Sequence, residues 1–141
     1  MTMPRELDVA FFNQLGQESL ATHLGIEVTD VGEGFCKAQL SLRKALMAPN
    51  GYLHADTVVS LADTAAGYAC LRHLPEGANN FTTIELKANF LGTAREGTIR
   101  CEARGLHLGR TTQIWDATVF GGDRDRPIAV FRCTQLILYP K

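Results

Sequence analysis

One segment constrains the fold of this chain more than any other. Residues 54–73, HADTVVSLADTAAGYACLRH, form a single helix-length run of small and apolar residues, and nearly everything after it alternates apolar and polar residues in short strands. A helix of about twenty residues is ~30 Å long at 1.5 Å per residue, about the diameter of a small domain. Its apolar surface needs a cover, and the only large partner the rest of the chain supplies is an antiparallel sheet curled around it.

The flanking segments fit that plan. RELDVAFFNQLG places Leu7, Phe11, Phe12 and Leu15 at helical spacing and ends at Gly16; SLATHLG adds a turn stopped by Gly25. GIEVTDVGEG and FCKAQLSL predict a hairpin, followed by a loop, RKALMAPNG. Four strand-like runs come after the helix: NFTTIELKANFL, TIRCEARGLHL, RTTQIWDATVFG and PIAVFRCTQLILY. In the first, Ile84, Leu86, Ala88 and Phe90 fall on one side, and Thr83, Glu85, Lys87 and Asn89 on the other. The short connections TAREG, GLHLGR and GGDRDRP predict that successive strands are antiparallel neighbours. The class is α+β, and residues 1–141 are expected to form one domain.

Composition narrows the function. A formal net charge of -1, with no basic or acidic run, gives no electrostatic reason to expect nucleic acid or an anionic membrane as partner. No apolar run approaches the ~20 residues of a membrane span, and MTMPRELDVAFFNQLGQESL lacks the unbroken apolar core of a signal peptide. Cys36, Cys70, Cys101 and Cys133 are scattered, without the close spacing of a metal or redox site. They read as reduced thiols in a cytoplasmic protein.

Along the helix, Val58, Leu61, Ala62, Ala65 and Ala69 gather on one side, and Asp56, Ser60, Asp63 and Gly67 on the other. Carboxylates on a helix are ordinarily solvated. Asp63, however, is mid-helix, where Asp is a poor helix former and serves no cap, and small residues surround it, so that another surface can come close. That pattern points to a covered acid. Asp56, at the start of the helix, suits an N-cap, and His54 before it suits a loop residue bonded to nearby backbone.

The segment HADTVVSLADTAAGY resembles the H-G-G-x(5)-L-A-D/E-T/S motif of small acyl-coenzyme A thioesterases with the hotdog fold, including the phenylacetate-pathway and hydroxybenzoyl types. LATHLGIEV, TTIELKANFLGTAREGTI and HLGRTT match further elements in the same order. The resemblance implies a curled antiparallel sheet around one helix, sheets joined edge to edge in a homodimer with sites at its interface, and a dimer of dimers. It assigns Asp63 as general base or nucleophile, the Ala55 backbone N–H as oxyanion donor and His54 as a residue shaping the site. Thr83 matches a hydroxyl residue that the partner subunit places near the attacking water. Gly109, Arg110 and Thr111 match the G-R-T element expected near the phosphates or pantetheine arm of coenzyme A, where a guanidinium suits an anion. Asn50 and Phe90 complete the expected substrate contacts. Coenzyme A enters as part of an acyl-coenzyme A or acyl-carrier substrate, with no separate cofactor and no metal.

This chain departs from the motif twice. Asp56 stands where the second Gly belongs, adding a negative charge near the oxyanion site, and Ala48 stands where relatives carry Asn or Gln, with Asn50 as a substitute two residues away. Two other functions compete with hydrolysis: a non-catalytic acyl-coenzyme A binding module and a hydratase or dehydratase of the same fold.

Overall fold

The computed structural model describes residues 7–122 and 125–141; residues 1–6 and part of the GGDRDRP connection, Asp123 and Arg124, lie outside it. The elements run α1 (Val9–Leu15), α2 (Leu20–Leu24), β1 (Ile26–Gly32), β2 (Phe35–Ser41), a 3-10 turn (Lys44–Leu46), α3 (Ala55–Arg72), β3 (Asn80–Phe90), β4 (Thr98–Leu108), β5 (Thr112–Phe120) and β6 (Pro127–Leu138). The six strands form one antiparallel sheet in the order β1-β2-β4-β5-β6-β3.

The long helix forms where its composition predicts. Val58, Leu61, Ala62, Ala65 and Ala69 are all buried, and α3 lies mainly against β2, β4 and β5. Four alanines in the helix core, with Ala38, Ala103 and Ala117 on the sheet, let the two layers approach closely; Leu61, Ile99, Leu40 and Trp115 fill the remaining volume. The cap differs from expectation. His54 is the N-cap, and its Nδ1 accepts the Asp56 N–H at 3.0 Å, while the Asp56 side chain is 88% exposed. The imidazole takes the N–H of the second helical residue, and the Asp56 carboxylate, already inside the first turn, extends into solvent.

The leading helices fold as the pattern indicates. Asp8 caps α1 by accepting the Phe11 N–H at 2.8 Å, Gly25 closes α2 at φ +91°, and the buried Phe12 stacks on Tyr68 of α3. Asn13 exchanges two hydrogen bonds with the Val28 backbone, fixing α1 on β1.

β3 and β4 are not neighbours, against the expectation from the short TAREG connection. β3 pairs with β6 at the sheet edge, where the Leu91 and Gly92 N–H groups both donate to Ile128 O, and β4 pairs with β2 and β5. The connection therefore crosses three strand spacings, about 14 Å. Six extended residues reach ~20 Å, so the segment is long enough for the crossing as well as for a hairpin.

The alternation in β3 also fails to produce one covered face. Thr82 through Lys87 are exposed throughout, because β3 is the edge strand and α3 lies over it less than over β2, β4 and β5. A bulge between Thr83 and Glu85 then resets the parity. Thr83 pairs with Gln135 and Leu86 with Cys133, both inward-facing positions of β6, so Thr83 shares a side with Leu86, Ala88 and Phe90. All four cysteines are free and buried. Among the described residues no helix is long and apolar enough to cross a membrane.

Candidate active site

Asp63 stands two turns into α3, on the side facing β3 rather than the centre of the sheet. It is half-buried; its Oδ1 is fully buried and has no hydrogen-bond partner among the described residues. Burial pushes its carboxyl above the ordinary carboxylate value, because the charged form loses water that nothing replaces. The neighbouring Ser60 does not help, since its hydroxyl donates to Asp56 O at 2.7 Å.

The carboxylate opens into a cleft of about 520 Å³. One wall is α3, with Thr64, Gly67, Tyr68 and Leu71; a second is the α1–α2 elbow, with Leu15, Ser19, Leu20 and Ala21; the third is the start of β3, with Asn80, Phe81 and Thr83. Gly67 lets β3 come close: a Cβ there would press on the Phe81 ring at 3.3 Å. Among the described residues of this lining, Asp63 is the one ionisable acid or base apart from the Tyr68 phenol, whose pKa burial also raises.

Thr83, which the resemblance places on the partner's side of the site, lines the cleft of its own chain's Asp63. Its hydroxyl donates to Gln135 Oε1 at 2.6 Å, and Gln135 Nε2 donates to Cys133 Sγ at 3.4 Å. Burial, with Asp63's charge among the further causes, raises the Cys133 thiol to about 12. Reading the sequence misses Gln135, Tyr68, Phe81 and the elbow residues. Gln135 carries a legible signal, a polar residue at an inward position of an alternating strand; the elbow carries none, because its place over α3 is a matter of tertiary packing.

The remaining candidates lie elsewhere. Ala55 is the first residue of α3, and its N–H has no partner among the described residues. Eight residues of helix separate it from Asp63, about 12 Å. His54 and Asn50 are at this same end, beside the exit of β3, where the Leu53 N–H donates to Thr93 Oγ1 at 3.2 Å. Asn50 Oδ1 accepts the Tyr52 N–H at 3.2 Å and so closes its own turn, while Phe90, 48% exposed, ends β3 opposite Ala129. The chain thus sorts its candidates into two groups, Asp63 with Thr83, and Ala55 with His54, Asn50 and Phe90.

Gly109, Arg110 and Thr111 form the turn between β4 and β5. The Gly109 N–H donates to Thr112 O at 2.9 Å, and a Cβ at Gly109 would lie 2.9 Å from that same backbone oxygen, which disfavours any larger residue. Arg110 O accepts from the Tyr139 hydroxyl and Thr111 O from the Ile137 N–H. Since Ile137 pairs with Phe81, the turn lies two strand spacings, about 10 Å, from the cleft's β3 wall. The exposed Arg110 makes no ion pair among the described residues.

Comparison with known proteins places this geometry in a family. Residues 50–128 match the model of the thioesterase superfamily. The chain is similar to the proofreading thioesterase EntH of Klebsiella pneumoniae, 32% identical over 120 residues, with 85% of this chain and 87% of that protein covered. It is also similar to the 1,4-dihydroxy-2-naphthoyl-CoA hydrolase of Escherichia coli, 29% identical over 141 residues, covering 98% and 100%. Among solved structures, a mutant thioesterase of Pseudomonas aeruginosa superposes with a TM-score of 0.88 at 27% identity, covering 99% of this chain and 97% of that one. A helix-borne acid in a cleft beside a curled sheet, the matched motif region and these relatives together establish that the chain is a thioesterase and belongs to the hotdog thioesterase superfamily.

Proposed function

We propose that the protein hydrolyses an acyl-coenzyme A or acyl-carrier thioester with Asp63 as its general base or nucleophile. The observation that carries this reading is the buried Oδ1 of Asp63, unpartnered among the described residues, in a cleft where those residues supply no other carboxylate and no cation. A carboxylate raised by burial toward the working pH is a better base than a solvated one. In the base-catalysed form, Asp63 takes a proton from water, the water oxygen bonds to the thioester carbon, the C–S bond breaks, and Asp63 passes that proton to the departing thiolate as the acid forms.

The oxyanion donor must come from a second copy. The Ala55 N–H at the positive end of α3 suits the developing charge, but ~12 Å of helix separate it from Asp63 in the same chain. A homodimer formed about the unpaired edge of β3, with strands antiparallel, carries the Ala55 end of one chain toward the Asp63 cleft of the other. The exposed Ile84, Leu86, Phe90 and Leu91 along that edge support such an interface. His54 and Asn50 shape the carbonyl end of the site, Phe90 borders the acyl thioester, and Thr83 contacts the attacking water. Gly109, Arg110 and Thr111 hold the phosphates or pantetheine arm, and two such dimers pair into a tetramer. Four reduced thiols suit the cytoplasm.

The cleft also limits the acyl group. Leu15, Leu20, Leu71, Tyr68 and Phe81 give its walls large apolar surfaces, and a second carboxylate there would face Asp63 without a counter-charge from the described lining. The substrate is therefore a thioester of a neutral, largely apolar acid. A thiol-release screen over acyl-coenzyme A panels tests this, with Asp63→Asn as the blank. Turnover in that variant falls by at least ~100-fold with the fold intact; near-normal hydrolysis would remove Asp63 from the mechanism.

A further inference from the structure

Gln135 is wholly buried on the inward face of β6, directly behind the cleft wall. An amide sealed from water is costly unless its polar atoms are bonded. Here Oε1 accepts from Thr83 Oγ1 at 2.6 Å, and Nε2 donates to Cys133 Sγ at 3.4 Å. A hydroxyl owns one proton and two lone pairs. With its proton committed to Gln135, Thr83 presents only lone pairs to the cleft it shares with Asp63.

We infer that Gln135 is a positioning residue for thioester hydrolysis, holding the Thr83 hydroxyl as an acceptor so that one water is gripped between Thr83 and Asp63. This rests on the reading of Asp63 as the base. An ionised carboxylate and an acceptor-only hydroxyl together accept both protons of a water molecule, which leaves the water's lone pairs free to face the thioester carbon. If Thr83 kept its proton free, the hydroxyl would turn to donate to Asp63. Such a charge-assisted bond stabilises the carboxylate, makes it a weaker base and occupies the place of the water.

Gln135→Met keeps side-chain length and removes the acceptor. In acyl-coenzyme A hydrolysis it lowers kcat about tenfold, the scale of one hydrogen bond, with little change in KM, and moves the acid limb of the pH–rate profile to lower pH. In a Thr83→Val background the same substitution has no further effect, since its target is gone. Unchanged kcat and acid limb in the otherwise native enzyme, or the same loss in both backgrounds, would overturn the inference. Should Gln135→Met fail to fold, Gln135→Glu, which retains an acceptor, carries the test. Thr83→Val then costs as much in that background as in the native one, and a vanishing cost would be the contrary result. Asp63→Asn, assayed alongside, separates the two levels: activity surviving in it defeats the reading of the base, whereas an inactive Asp63→Asn beside a fully active Gln135→Met defeats only the role of Gln135.

Discussion

Ala55→Pro isolates the proposed oxyanion donor without disturbing the helix that carries it. Ala55 is the first helical residue, a position where proline is favoured because its fixed φ already suits the helix. His54, at φ −62° and ψ 132°, already has the backbone conformation that a following proline imposes. The N–H that is lost bonds to nothing among the described residues, so no internal hydrogen bond goes with it. Thermal stability should therefore stay close to that of the native enzyme. Loss of one oxyanion donor costs 10²–10³ in kcat, about 2.7–4 kcal/mol of transition-state stabilisation. The ~12 Å between Ala55 and Asp63 makes a stronger claim. If each site joins the helix start of one chain to the acid of the other, a mixed dimer of Ala55→Pro and Asp63→Asn has one intact site and one doubly damaged site. Equal co-expression of the two inactive variants then restores about a quarter of native activity, by the symmetry of random pairing. Thiol release measured on the separate and co-expressed proteins decides the matter. Full activity in Ala55→Pro would refute the donor assignment, and a co-expressed mixture as dead as its parents would refute the shared site.

Two further outcomes follow from the same geometry. Burial raises the Asp63 pKa in the fold, so the folded state holds this carboxyl more stably when protonated; that stabilisation is complete below the unfolded value of 3.8 and disappears as pH rises through the folded value. Asp63→Asn, inactive, should therefore be more stable than the native protein at pH 7, by on the order of 1 kcal/mol or a few degrees in melting temperature, with the gap closing in acid; equal melting curves at every pH would contradict it. Asp56→Gly removes an exposed charge one residue from the Ala55 N–H and should raise kcat about threefold at low salt, an advantage that shrinks as salt screens it. Identical kinetics at every ionic strength would mean that this carboxylate points away from the reaction.

The central helix and most strands were legible because each carries an unbroken period: Val58 to Ala69 mark one helical face, and Cys133, Gln135 and Ile137 one strand face. Asp63 was legible as an anomaly, an acid without the long charged neighbours of a wet helix face. The place of β3 was not, because Gly92 to Gly97 can cross the sheet end as readily as turn a hairpin, and the choice is made by Ile128, a residue more than thirty positions further on. The position of Thr83 was hidden by a bulge, which reverses strand parity without any glycine or proline to announce it. The bond of His54 to nearby backbone was legible, but the cap itself was assigned to Asp56, because an imidazole, unlike Ser, Thr, Asp or Asn, is not among the residue types that ordinarily signal a helix start.

The four interior sulfurs bear on how such a catalyst survives its own chemistry. Acyl thioesters pass their acyl group to any nearby thiolate, and each turnover liberates another thiol capable of forming mixed disulfides. Burial raises Cys36, Cys70 and Cys133 to about 12 and Cys101 higher still, so at neutral pH all four are protonated as well as out of reach. The protein's own thiols are thereby kept from acting as acyl acceptors, even though Cys133 is within the electrostatic reach of the Asp63 carboxylate.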